Sequence, residues 1–275
     1  MWEKLANVDR RWIFGLMILV IAVALLKPVG LAIIPSDATK AAYNAVANIP
    51  NGSIVWLGME FSSGGITELM PAAQAIIRQG FQKDLKFVCG GMWNMAGDMA
   101  EMAFNAVVPD FPNKKYGVDW VNIGYKPGNE VLLQKLLTSV EDAAQGVDFK
   151  GNKLSTLPLM SQFKTLKDAK MCIIFCTGTP GENEYIKHVT GPNKIPLVES
   201  CISVSVPGIM PLVQSGQVAA LIAGMKGAAE YEVLINHPGS ASAGMDAQSF
   251  SHGLIIIFMI LGNIGYYATR NKKKA

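Results

Sequence analysis

Residues 53–61, SIVWLGMEF, and residues 67–82, TELMPAAQAIIRQGFQ, decide the fold class. The first is a short continuous apolar run, the pattern of a strand covered on both faces. The second repeats its apolar residues at helical spacing, and the turn Ser62-Ser63-Gly64-Gly65 separates the two. A buried strand that feeds a tight turn and then a helix is the first half of a βαβ unit.

The same rhythm continues outward. Lys86–Cys89 reads as a strand followed by a helix over Met95–Val107, and Val118–Tyr125 as a strand followed by a helix over Asn129–Ala144. A polar, turn-rich linker, Gly146–Pro158, leads to a short helix near Met160–Leu166. Met171–Cys176, MCIIFC, is a central strand, with Glu182–Val189 as its helix. Pro196–Val206 reads as a further strand and Val218–Asn236 as the closing helix, whose Ala219, Ala220, Ala223, Gly224, Gly227 and Ala228 let it lie close to the sheet. The expected class is α/β, a doubly wound and mostly parallel sheet of Rossmann-like or flavodoxin-like type with helices on both faces and no internal repeat.

Both ends of the chain are apolar. Trp12–Leu26, WIFGLMILVIAVALL, extends through Pro28–Ile34, and Phe250–Ala268 reads FSHGLIIIFMILGNIGYYA. A bilayer core asks for about 20 apolar residues, so the first segment is short and the second sufficient. A cleavable signal peptide is the rival for the first, but no small-x-small site follows Leu26 before the Pro-Gly stretch. The expected division is a cytoplasmic start (1–11), an anchor (12–34), the α/β domain (35–249), a second anchor (250–268) and a basic cytoplasmic tail (269–275). Positive charge outside both anchors predicts a two-pass protein of the cell membrane, with both termini cytoplasmic and the domain extracytoplasmic.

Charge supports the same division. Of 24 Lys and Arg and 21 Asp and Glu, eight basic and two acidic residues lie in 1–34 and 251–275. The intervening chain keeps 16 basic against 19 acidic residues, a net −3 that does not recruit nucleic acid. Membrane lipid is the partner of the basic ends. Asn263, between Gly262 and Gly265, is either a helix–helix contact to a membrane-protein partner or a second copy, or an amide tolerated near the interface. Glu230, Glu232, Asp246 and Gln248 suggest a polar collar where another subunit docks, although residues 239–244 read equally as a flexible spacer.

Cys89, Cys172, Cys176 and Cys201 all fall in expected strands, which makes them buried small hydrophobes rather than a disulfide framework. Their spacing suggests no metal site, and GxGxxG, P-loop and GxSxG motifs are absent, so no cofactor is expected. A doubly wound sheet binds ligands beyond the carboxyl ends of its strands. The loops there carry Glu60, Ser62 and Ser63, then Trp93 and Asn94, then Tyr125, Lys126 and Asn129, then Thr177 and Thr179. Glycine in such loops also reflects nothing more than tight chain reversal. Glu60 and Glu68 form a possible acid/base pair, with Lys126 as a third catalytic candidate; the bland alternative is a turn anchor and a first-turn helix residue.

The arrangement of anchor, domain and anchor, with Gly52-Ser53 entering the first strand and Glu68 and Pro71 opening the first helix, resembles two groups. One is the extracytoplasmic domains of gliding-motility-type ABC-transporter auxiliary proteins. The other is a set of double-anchored bacterial or archaeal membrane proteins. The resemblance covers architecture and about 20 residues, and carries over no functional residue. The paired anchors and the lack of a catalytic signature lead to the expectation of a non-enzymatic binding or scaffold subunit of a membrane assembly; the alternative is a membrane-bound hydrolase or transferase working at the loop rim.

Overall fold

The computed structural model of the protein describes residues 9–270; Lys4, Lys272, Lys273 and Lys274, which carry part of the terminal charge argument, lie outside the described residues. The element order is α1 (Arg10–Leu26), α2 (Asp37–Ala47), β1 (Ile54–Glu60), α3 (Ile66–Gln82), β2 (Lys86–Gly91), α4 (Ala96–Val107), β3 (Trp120–Tyr125) and α5 (Glu130–Leu136). It continues with β4 (Cys172–Cys176), β5 (Leu197–Cys201), α6 (Val206–Gln214), β6 (Ala220–Ala223), α7 (Gly224–Leu234) and α8 (Ser240–Arg270). The chain divides into two units: residues 33–241, and residues up to Ala32 together with those from Ser242 onward.

In the 33–241 unit all six strands are parallel, in the order β3-β2-β1-β4-β5-β6. The order reverses between β1 and β4, which creates a switch point where the loops leaving neighbouring strands diverge to opposite faces. Trp56, Val88, Val121, Ile174, Leu197 and Leu221 belong to one core, into which Leu133, Phe163 and Tyr185 pack. The residues alternating with them on the strands serve the other face, where Phe81, Phe87 and Phe104 meet edge-on or tilted and Phe104 stacks on Trp120 at 5.4 Å. This two-sided burial is why the strands read as unbroken apolar runs rather than alternating ones.

Three expected elements differ. The segment 218–236 contains the edge strand β6 before its helix: four residues are too few to reveal a period, and Gly224, at φ +58°, turns the chain directly from strand to helix. The strand expected over 196–206 stops at Cys201, after which a 3-10 turn and Pro207 in the first turn of α6 begin helical structure. The helix expected over 129–144 breaks after Leu136 and restarts at Val140, where the Ser139 hydroxyl accepts the Asp142 N–H.

The expected collar is internally occupied. Buried Glu230 accepts hydrogen bonds from Ser36 N–H and from the Ser36 and Thr39 hydroxyls, and buried Glu232 accepts from Gly239 and Ala241 N–H. These two carboxylates tie backbone ends together, whereas Gln248 of the expected collar is exposed. The spacer reading also gives way, because Ser240 already begins α8.

In the other unit, Ile13, Met17, Val20, Ile21 and Ala24 of α1 are half-buried or buried, and so are Ser251, Leu254, Phe258, Leu261 and Gly265 of α8. Ile21 apart, both sets recur at alternating three- and four-residue steps, the spacing of a helix–helix seam. The N–H groups of Gly30 and Leu31 donate to the Asp246 carboxylate at 2.8 and 3.0 Å, so the chain leaving α1 meets the start of α8. The outward residues, among them Trp12, Ile18, Leu26, Ile257 and Met259, are apolar and exposed. Gly262 and Asn263 are exposed beside the seam rather than in it.

Among the described residues one helix, over Ser240–Tyr267, is long and apolar enough to cross a membrane. With 17 residues, α1 rises about 25 Å, less than the roughly 30 Å of a hydrocarbon core. The expectation of two spanning helices is therefore met by one.

Gly58 is the tightest point of the central strand: a Cβ there would lie 2.6 Å from the Tyr185 hydroxyl and 2.9 Å from Ile174 Cγ2. Gly58→Ala is expected to lower unfolding free energy by about 1–3 kcal/mol in urea titration of the detergent-solubilised chain. An unchanged midpoint would show that the β1 end does not depend on this close approach.

Candidate functional site

β1 delivers Glu60 to the switch point. Its side chain is fully buried: Oε2 accepts the Met92 N–H at 2.8 Å and Oε1 accepts the Tyr185 hydroxyl at 2.8 Å. The Tyr185 oxygen in turn accepts the Trp56 indole N–H at 2.9 Å. Tyr185 closes the short helix Glu182–Tyr185 and enters a π-helical turn, Ile186–Thr190, of the kind that often marks a functional segment. One carboxylate thereby links the loops after β1, β2 and β4.

Register then assembles a row. Glu60 pairs with Cys176, and Cys176 with Cys201, so these side chains share one face at the carboxyl ends of β1, β4 and β5. Glu199 lies two residues before Cys201 and therefore faces the same side. The Cys176 thiol donates to the Gly178 carbonyl at 3.0 Å and stands 3.6 Å from Glu182 Oε2. Cys176, Glu182 and Glu199 each present a ligand atom within 4.8 Å of the others. Glu199 is fully buried, and neither of its oxygens has a hydrogen-bond partner.

The electrostatics follow from burial without a counter-charge. Burial pushes Glu60 up to about 7 against the pull of its donors Met92, Tyr185 and Trp93, with Glu184 adding repulsion. Burial, and then the negative charge of Glu182, push Glu199 up to about 8. Burial also drives the Cys176 thiol far above its ordinary value, with Glu182 and Glu199 adding to it. Groups so perturbed at a switch point mark a candidate site, one suited to a cation or to proton exchange.

The expected site residues separate into three groups. Glu60, Trp93 and Thr177 come together: Thr177 N–H donates to the Glu60 carbonyl at 3.1 Å, and the Trp93 indole donates to the Pro180 carbonyl at 2.8 Å, just after a cis Thr179–Pro180 bond. Ser62 and Ser63 lead into Gly65, which abuts the Thr177 methyl, while Asn94 and Thr179 are exposed on these loops. Glu68 instead accepts the Ser203 N–H at 2.8 Å and its hydroxyl at 2.5 Å, beyond β5. Glu60 and Glu68 share no hydrogen-bond partner among the described residues. Tyr125 ends the edge strand β3 and Lys126 and Asn129 follow it; Lys126 N–H reaches the Gly91 carbonyl at 3.2 Å, and burial lowers the Lys126 pKa.

Cys176, Glu182 and Glu199 as a group escaped the sequence reading. The available signal was Glu199 itself, an acid inside the apolar run Leu197–Cys201. A broader cleft, lined by Ile186, Lys194, Pro196, Gln217 and Ala219, lies at the amino ends of β5 and β6 and gathers no comparable set of ionisable groups. No protein-family model matches the chain, and no match is found among curated proteins or solved structures.

The two raised carboxyls set a pH dependence. Unfolding releases them to ordinary behaviour near pH 4.5, so between about pH 4.5 and 8 the unfolded chain sheds protons that the folded chain retains. Their contribution to stability is full below that window and lost across it, on the order of 3–5 kcal/mol per group. Denaturant titrations with chelator present should show unfolding free energy falling from about pH 5 to 8 and a shallower fall in Glu199→Gln. An identical slope in the variant would contradict the assignment.

Proposed function

We propose that this chain is a membrane-anchored α/β binding subunit whose domain lies outside the cytoplasm and holds a small cationic ligand at the switch point, within a larger membrane assembly. The observation that supports it is Glu199, a buried carboxyl aimed among Cys176 and Glu182 with no donor and no counter-charge. A buried polar group left unpaired destabilises the fold, and a ligand that supplies the missing charge removes the deficit. Glu60, Glu182 and Glu199 take part in none of the ion pairs among the described residues.

In this reading α8 crosses the bilayer, and α1, too short to span it alone, makes a second pass together with the apolar residues 28–34 that follow it, with both termini cytoplasmic. The Gly30 and Leu31 N–H groups would otherwise be unpaired near lipid, and Asp246 covers them. Exposed Asn263 and Gly262 are then available to a partner helix. A membrane-bound hydrolase or transferase is the second reading, favoured by Glu60: a carboxyl raised to about 7 is matched to general acid or base work.

Native mass spectrometry from mild detergent is expected to find stoichiometric partner chains, lost on Asn263→Leu, and a bound small cation. A bare monomer that no cationic ligand stabilises thermally contradicts the binding-subunit reading. Protease added to right-side-out vesicles is expected to cleave the domain; full protection there, with cleavage in inverted vesicles, would reverse the sidedness.

A further inference from the structure

We propose that Cys176, Glu182 and Glu199 form a binding site for one thiophilic divalent transition-metal ion of the zinc class. The inference deepens the binding-subunit reading and rests on its view of the switch point as a ligand site.

The geometry provides three donors from three places: the end of β4, the first residue of the short helix beyond it, and the middle of β5. Their ligand atoms already lie within 4.8 Å of one another. With metal–sulfur bonds near 2.3 Å and metal–oxygen bonds near 2.0–2.2 Å, tetrahedral coordination brings such donors to roughly 3.5 Å, so contraction by about 1 Å suffices. Cys176 Sγ and Glu182 Oε2, at 3.6 Å, already meet that spacing. The independent sign of a missing ligand is Glu199, fully buried with both oxygens unpaired and directed into this group.

Donor chemistry selects the ion. A thiolate disfavours Mg2+ and Ca2+, which take oxygen ligands, and favours Zn2+, Co2+ and similar ions. Two carboxylates and one thiolate bring three negative charges to a dication, so the filled site carries a single net negative charge. Binding displaces the protons held by the Cys176 thiol and by Glu199, which leave to solvent as the metal bonds form. The Gly178 carbonyl, which accepts the thiol proton in the empty site, is then free to accept from a metal-bound water. Three protein ligands leave one tetrahedral position for that water or for an incoming ligand. Glu182 is half-exposed and gives the ion its path from solvent.

The test uses the full-length, tag-free chain in detergent, titrated with Co2+ as a spectroscopic stand-in for Zn2+. One equivalent should produce thiolate-to-cobalt charge transfer in the near ultraviolet together with visible bands of tetrahedral intensity. Zn2+ should displace it, and millimolar Mg2+ or Ca2+ should not. Cys176→Ser should abolish the charge-transfer band, and Glu199→Gln should weaken binding by at least about tenfold. Cys201→Ser, a buried thiol beside Cys176 in the sheet, controls for folding and should leave the spectrum intact. Absence of the band in folded wild-type protein, or its persistence in Cys176→Ser, overturns the metal site. If the band is absent while an amine ligand stabilises wild-type protein and not Glu199→Gln, the metal fails and the crevice reading stands. If neither binds, both fail.

Discussion

The structure turns on a carboxylate held out of water. Glu60, at the end of the central strand, satisfies its two oxygens with a backbone N–H from the loop after β2 and a tyrosine hydroxyl from the helical turn after β4. Withdrawing such a group from water costs several kcal/mol unless donors replace the solvent. The donors must therefore stay in place, and with them the loops that carry them. Trp56 extends the constraint into the strand interior, and Gly58 leaves the room that Tyr185 needs.

Against that satisfied carboxylate stands an unsatisfied one. Glu199 lies on the same face of the same sheet and is equally buried, yet has no partner. Among the described residues the only other buried side-chain polar atom in that condition is the Ser200 hydroxyl, on the opposite face of β5. The proposed cation would give Glu199 the partner that the polypeptide does not, beside the Cys176 thiol and the Glu182 carboxylate.

Much of the fold was legible because it is local. Residues 53–82, 86–107 and 171–176 announce strand or helix through runs and periods contained within themselves, and the observed elements agree to within a few residues. β6 was not, since Ala220–Ala223 is shorter than any period and sits in an alanine- and glycine-rich stretch that also suits a helix. The start of α8 at Ser240 was hidden for the converse reason: small residues at 239–244 look like a spacer until Glu232 is seen capping them. At the site, Glu60 could be found from its place at a strand end. The juxtaposition of Cys176 with Glu199 depends on the pairing register of β4 and β5, a nonlocal fact that spacing along the chain does not encode.

Difference infrared spectroscopy of the full-length protein at neutral pH tests the central claim most directly. Buried Glu199 is expected to give a carbonyl band, distinct from that of Glu60, that is lost in Glu199→Gln and vanishes from the wild type when Zn2+ or an amine fills the site. A wild-type spectrum without that band, or one in which it survives a saturated site, would contradict the view that Glu199 waits for a cation.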